Sequence, residues 1–393
     1  NDYEKETGVK VTVVQEPWGS FADRVFTEFA GKGGSYDLVI GDSQWLGQGA
    51  TQGHYVELTD IFESELTGKA LSQPTVQYYA EYPAGSKKYW SYPTEGDAIG
   101  WSYRKDLFED PKEMEGFKAK YGYDLAIPQD LSQLRDIAEW FTRPEKNLYG
   151  VAVYTQKDYD GLVMGIAQVL WNFGGDWGDY ATGQVMGIVN SEDSIKALEF
   201  YKELYKFAPP GSSNDFYAES LNHYVSGEVA MAMNYFAFFP GLINEKTNQF
   251  AKVTGFFSNP KGPKGDFTSL GGQGMSIVSY ISPERQAAAK EFLKWFAKTE
   301  TQQKWAELGG YTCNAEILKT EKFLNNTPYN KAFSESMLKV KDFWNIPAYI
   351  DLLNVAKVAL HNFVVGDQGT AKEALDSIAE QQDVILKDGG YQQ

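Results

Sequence analysis

Glu95 and Asp97 stand two residues apart, so on an extended chain their carboxyl groups project to the same side. Paired carboxylates can serve as the acid and base of glycosidic-bond cleavage. They can equally accept hydrogen bonds from the hydroxyls of a ligand that is bound and left intact. A second constellation, Asp42-Ser43-Gln44-Trp45, follows the apolar run Leu38-Val39-Ile40 and a stop at Gly41. Read as a buried strand, the run places a carboxylate, a hydroxyl, an amide and an indole at its carboxyl end, where open α/β sheets bind ligands. Polar groups beside a large flat ring suit a sugar, whose hydroxyls need partners and whose C–H face needs covering. An ordinary turn with Trp45 as core packing accounts for the same four residues, so the segment needs a context to decide it.

Other chemistries lack their residues. The three histidines, His54, His223 and His361, have no partners at metal-ligand spacing. Asp158-Tyr159-Asp160-Gly161 resembles part of a calcium loop, but counting from Gly161 puts Ala167 where the bidentate glutamate belongs. Gly47-Gln48-Gly49 meets its next glycine at Gly53, which breaks the dinucleotide spacing, and neither a phosphate-binding G-x-x-x-x-G-K-[ST] nor a G-x-S-x-G elbow occurs. The single cysteine, Cys313, cannot form an intrachain disulfide and reads as a small buried hydrophobe. With 36 Lys plus Arg against 53 Asp plus Glu, the net charge of −17 argues against nucleic acid or an anionic membrane surface as partner. No apolar run reaches the roughly 18 residues of a membrane span, and no cofactor motif is present.

The elements that must carry these residues alternate between strand and helix, which indicates an α/β protein. At 393 residues the chain is long enough for two domains. Asn1–Thr7 reads as a helix closed by Gly8, and the alternation of Val9, Val11 and Val13 predicts a strand. A one-turn helix does not stand alone, so an upstream strand and most of a helix are expected to be missing. Tyr89–Tyr103 reads as a pair of strands around Pro93–Asp97, and Val151–Tyr154 and Ala230 onward as further strands. Helices are predicted from Asp130 or Ser132 to Phe141, from an N-capping Ser191, from Ser282-Pro283, and from the capping box Thr370-Ala371-Lys372-Glu373. Asn259–Gly265, rich in Pro and Gly, reads as a linker.

Taken in order, several segments resemble the carbohydrate-type solute-binding proteins of ABC importers, the maltose-binding protein superfamily. They are Tyr3–Val11, Asp37–Trp45, Gly53–Leu58, Tyr92-Pro93 through Asp97 to Tyr103–Leu107, Gly227–Met231, Gly271–Gly274, Ile346–Tyr349 and the helix Thr370–Ala379. The resemblance implies a two-lobed, type II periplasmic-binding-protein-like α/β fold with crossing hinge segments and the ligand in a cleft between lobes. On that pattern residues 1–105 plus 265–310 form one lobe and 106–264 plus 311–393 the other.

It also implies which residues meet the ligand. Asp42, Ser43, Gln44 and Trp45 match a first-lobe loop, and Asp97 a frequent sugar-hydroxyl acceptor. Asn234, Tyr235, Phe236 and Phe238 match a segment that supplies a stacking ring, although the family's Gly-Pro-Trp is replaced there. Gly272 and Gln273 match a hinge strand, and Trp344 and Tyr349 a late aromatic contact. Glu95, Tyr159, Asp160, Trp177 and Asp179 complete the candidates. The implied role is binding of a sugar, oligosaccharide or polyol and its delivery to an ABC transporter permease, by a non-enzymatic exported chain, expected to have lost an upstream leader, that is monomeric, periplasmic or extracellular, and not membrane-spanning. A polyamine binder on the same fold, a sensor-coupled binder and a glycan-active enzyme are the alternatives.

Overall fold

A computed structural model describes residues 2–392. Seven strands are present among them: β1 (Leu38–Asp42), β2 (Tyr92–Arg104), β3 (Tyr149–Ala152), β4 (Val229–Tyr235), β5 (Thr254–Ser258), β6 (Thr268–Ile277) and β7 (Val340–Lys341). The chain divides into two compact units. The first runs to Gly96 and adds Gly272–Phe323 and Asn345–Pro347; the second holds Asp97–Gly271, Leu324–Trp344 and the chain from Ala348 onward. Both β2 and β6 begin in one unit and end in the other.

In the first unit β1 pairs antiparallel with the end of β6, which sets Gly41 opposite Gly274 and Asp42 opposite Gln273. In the second, β4 lies between β2, to which it is antiparallel, and β3, to which it is parallel, while β5 covers the other edge of β2. The helix Gly161–Phe173 is apolar on nearly every face, and its residues Gly161–Asn172 are all buried. It packs against the helices Glu192–Tyr205 and Tyr349–Val364.

The predicted caps are in place, because each supplies an acceptor to an otherwise orphaned helical N–H. Ser191 Oγ accepts from Ser194 N at 3.2 Å and Asp130 Oδ1 from Gln133 N at 2.9 Å. Thr370 and Glu373 form the reciprocal capping box, with Glu373 N donating to Thr370 Oγ1 at 3.1 Å and Thr370 N to Glu373 Oε2 at 2.8 Å. Cys313 is fully buried.

Three expectations fail locally. The pair of strands around Pro93–Asp97 is one strand, Tyr92–Arg104. Proline is tolerated near a strand's start, and Gly96 N donates to Tyr311 O at 2.7 Å instead of turning the chain. Val9–Val13 is not a strand, and Val13 is 74% exposed. Alternating valines favour an extended chain, but a strand forms only in a ladder with another, and the segment belongs to no sheet among the described residues. Asn259–Gly265 connects β5 to β6 within the second unit and is firmly held. Asn172 donates to the Phe267 carbonyl at 2.9 Å and accepts from Phe267 N at 2.7 Å, and Asn259 accepts from Trp101 Nε1 at 3.0 Å.

Candidate functional site

The first unit contributes the loop that leaves β1. Asp42 turns the chain into the short 3-10 segment Ser43–Trp45. Its Oδ1 accepts from Ser43 Oγ at 3.1 Å and from Gln44 N at 3.4 Å, an arrangement natural to aspartate at a turn. All four residues of the cluster are buried. Trp45 lies among rings of the helix Trp18–Ala30: Trp18 stacks on it at 6.2 Å, and Phe21 and Phe26 meet it edge-on at 5.0 and 5.6 Å. Gly41 lets the indole lie down, since a Cβ there would stand 2.9 Å from the ring. Burial, and secondarily the charge of Asp42, push the Tyr55 phenol up.

Across the strand pair, Gln273 is half-buried and follows Gly272, whose φ of +85° suits only glycine well. Glu95, also half-buried, has its carboxyl pKa raised by burial and lies close enough to Cys313 to raise that thiol, which burial already pushes up.

The second unit gathers a larger set. Asp97 is 4% exposed; its Oδ1 accepts from Ala98 N at 2.8 Å and its Oδ2 from Ala237 N at 3.3 Å. The Tyr235 ring lies against Gly271, where a Cβ would collide with it, and its hydroxyl donates to Leu270 O at 3.4 Å. Asn234 ties this end of β4 to its surroundings. Its Oδ1 accepts from Tyr154 Oη at 2.6 Å and from Tyr235 N at 2.9 Å, while its Nδ2 donates to the Tyr217 carbonyl at 2.9 Å. Burial pushes the Tyr235 phenol far up, reinforced by the charges of Asp160, Asp342 and Asp97. Tyr154 is raised in the same way, with Asp97 and Asp160 contributing after burial. The charges of three carboxylates therefore bear on one phenol. Asp160 is placed by Gly161, the start of the buried helix, and by Tyr159, whose φ is +44°.

The aromatic candidates separate into different roles. Phe236 is fully buried between Phe239 and Phe333, with its ring against Gly100. Phe238 is half-buried and stacks on the half-buried Tyr217 at 4.3 Å and 7°. Trp177 and Trp344 pack with each other: Trp344 Nε1 donates to the Trp177 carbonyl at 3.2 Å, and both are at most 1% exposed. The Trp177 indole N–H has no hydrogen-bond partner among the described residues. Tyr349 is 2% exposed and opens the helix Tyr349–Val364. Asp179 caps its own turn, accepting from Ala181 N at 2.9 Å and Thr182 N at 3.2 Å, and those two bonds lower its pKa.

Two residues of this neighbourhood are additions. Asp342 directly follows β7, so the strand-end reasoning that singles out Asp42 applies to it too. Tyr217, which opens a helix, carries no sequence signal beyond being aromatic. The candidate groups are hydroxyls, amides, carboxylates and rings, chemistry that can hydrogen-bond and cover a polar solute. Among the described residues no group of three or more His, Cys, Asp or Glu could hold a metal ion, and no helix is long and apolar enough to cross a membrane.

The sequence profile of the bacterial extracellular solute-binding protein family matches residues 1–303. The chain belongs to that family. It is 24% identical over 296 residues to a mannitol-binding protein of Pseudomonas aeruginosa, a match covering 72% of this chain and 60% of the relative's length. Among solved structures it superposes on an ABC transporter solute-binding protein of Agrobacterium radiobacter K84 in complex with ribitol. That match has a TM-score of 0.80 and 23% identity, over 98% of this chain and 93% of that one. Maltose-bound MalE3 of T. maritima gives a TM-score of 0.82 at 22% identity, over 98% and 94% of the two chains. The fold is thus the two-lobed α/β architecture of periplasmic-binding-protein-like chains.

Proposed function

We propose that this family member binds a sugar or polyol and delivers it to the permease of an ABC importer, acting as an exported monomer that carries out no reaction and needs no cofactor. The observation that carries this reading is the grouping of Asn234, Asp97 and the half-buried Tyr217–Phe238 stack at the end of β4, where Tyr235 also feels the charges of Asp97, Asp160 and Asp342. Carboxylates accept from hydroxyls, and rings cover an apolar sugar face. Relatives described with ribitol, maltose and mannitol support the same ligand class. In this reading Asp42, Ser43, Gln44, Glu95, Gly272 and Gln273 are the binding residues of the first unit, with Trp45 holding the loop. Asp97, Tyr159, Asp160, Asn234, Tyr235, Phe238 and Asp342 are those of the second. Trp177, Phe236, Trp344 and Tyr349 support them.

The same three carboxylates favour a polyamine as the second reading, since cations are drawn to acidic and aromatic boxes and the chain carries a charge of −17. Calorimetry with ribitol, D-mannitol, maltose, tagatose and spermidine separates the two. A polyol or sugar that binds with little salt dependence, and is lost in Asp97→Asn, supports the first reading. Salt-sensitive binding of spermidine alone overturns it.

A further inference from the structure

His223 lies on the helix Tyr217–Ser226, whose first residue stacks on Phe238. Its Nδ1 lies 2.7 Å from Glu228 Oε2 and its Nε2 3.0 Å from Asp215 Oδ2, with Ser212 Oγ 3.3 Å from Nε2. Two carboxylates on the two ring nitrogens of one largely buried imidazole fit only the form in which both nitrogens donate. A neutral ring must turn a lone pair toward one carboxylate, and only the Ser212 hydroxyl stands near enough to Nε2 to relieve it.

The two carboxylates are joined to the site by short routes. The Asp215 carbonyl accepts from Thr155 N at 2.9 Å and Gln156 N at 3.0 Å, and Asp215 N donates to Thr155 Oγ1 at 2.8 Å. Those bonds fix the segment that follows Tyr154, whose hydroxyl serves Asn234, and that leads to Tyr159 and Asp160. Phe216, next to Asp215, packs edge-on against Tyr154 at 4.8 Å, and a Cβ on Gly161 would already touch its ring. Tyr217 then receives the Asn234 amide. On the other side, Glu228 immediately precedes β4, the strand that ends in Asn234 and Tyr235.

We propose that His223 is a positioning residue for this site: as an imidazolium it clamps Asp215 to Glu228, and the release of that clamp makes ligand affinity fall as pH rises. The inference rests on the second unit's share of the proposed ligand site. The charged groups at the ring are Asp215 from the preceding loop and Glu228 from the approach to β4, and the Asp215 charge also reaches Tyr205, whose phenol burial and Asp215 both push up. Asn147 adds a neutral donor to Glu228 Oε1 at 3.5 Å. The hydrogen bond to Asp215, ahead of that to Glu228, raises the His223 pKa against an opposing effect of burial, and His223 in turn lowers that of Glu228. The clamp is therefore intact below the ordinary histidine range and is lost as pH rises through the raised value.

Two measurements on the whole protein test this. Hydrogen exchange of the Thr155–Gln156 amides, expressed as protection factors, should lose about 5-fold protection between pH 6 and pH 8.5 in the wild type and stay flat in His223→Gln. Calorimetry with ribitol and D-mannitol should show affinity falling by about 5-fold over the same range. By linkage the His223 pKa, followed by NMR in the unaltered protein, then rises by about 0.7 on saturation. Glu228→Gln, which keeps one partner, should reduce both effects. Flat protection in the wild type, or an unchanged His223 titration on saturation, overturns the clamp even where polyol binding stands. Failure of every sugar and polyol to bind overturns the ligand reading and the affinity effect with it, while the exchange profile still decides whether the clamp exists.

Discussion

Replacing Trp45 by alanine asks whether the indole meets the ligand or only holds the loop that does. The ring is 1% exposed, with Trp18 across one face and Phe21 and Phe26 at its edges. Truncating a buried tryptophan costs about 3–5 kcal/mol through lost burial and the cavity left behind. Edge-on and stacked aromatic pairs add about 0.5–1.5 kcal/mol each, so the three ring partners put the loss near the top of that range. Trp45→Phe keeps a ring between Trp18 and Phe26 and should lose only about 1–2 kcal/mol. Calorimetric unfolding reads the stability, and titration with the bound sugar or polyol reads the affinity. Trp45→Ala should lower the unfolding temperature markedly, whereas Trp45→Phe should bind within about 5-fold of the wild type, or about 1 kcal/mol. Trp45→Ala with a stability change below about 0.5 kcal/mol and no measurable binding would refute the supporting role and put the ring on the ligand.

Asn234→Ala removes the buried acceptor of the Tyr154 hydroxyl and the part-buried donor to the Tyr217 carbonyl, and should destabilise by about 2–3 kcal/mol in urea unfolding. Gly271→Ala drives a methyl group into the Tyr235 ring and should cost about 1–3 kcal/mol while weakening ligand binding; calorimetric unfolding and ligand titration of the variant check both. The Glu113 carboxyl is held below its ordinary pKa first by its hydrogen bonds to Arg143, made at 2.6 Å through both oxygens. Its stabilisation is thus present above the ordinary glutamate range and lost as pH falls through the depressed value. Acid unfolding followed by circular dichroism should therefore begin at higher pH in Glu113→Gln.

What was legible in the chain was local and chemical. Ser191, Asp130 and the Thr370–Glu373 box announce helix starts because the capping bond lies within three or four residues of its donor. The strand-end carboxylate Asp42 was visible for the same reason, and Asp342 could have been found by the rule that found it. Non-local facts were not legible. Nothing in Tyr89–Tyr103 reveals that Gly96 finds its acceptor at Tyr311, more than two hundred residues away, so one strand reads as two. Nor does Trp45 disclose Trp18, Phe21 and Phe26 as its neighbours, since the helix that carries them depends on packing to place it. The Tyr217–Phe238 stack joins a helix start to a 3-10 turn and has no periodicity to betray it.

The acidic residues share a device that bears on the proposed binding of a solute. Asp42 takes the Gln44 N–H at 3.4 Å, Asp97 the Ala98 N–H at 2.8 Å, and Asp342 the Phe343 N–H at 2.7 Å. Each carboxylate is thus anchored by a backbone donor one or two residues along the chain, which fixes its rotamer before any ligand arrives. An acceptor already oriented loses little side-chain freedom on binding, and that loss is about 0.5–1.5 kcal/mol for each mobile side chain that must be immobilised. Binding a solute intact, as proposed above, calls for fixed acceptors, and these anchored carboxylates, together with Asn234 and the stacked rings, would supply them.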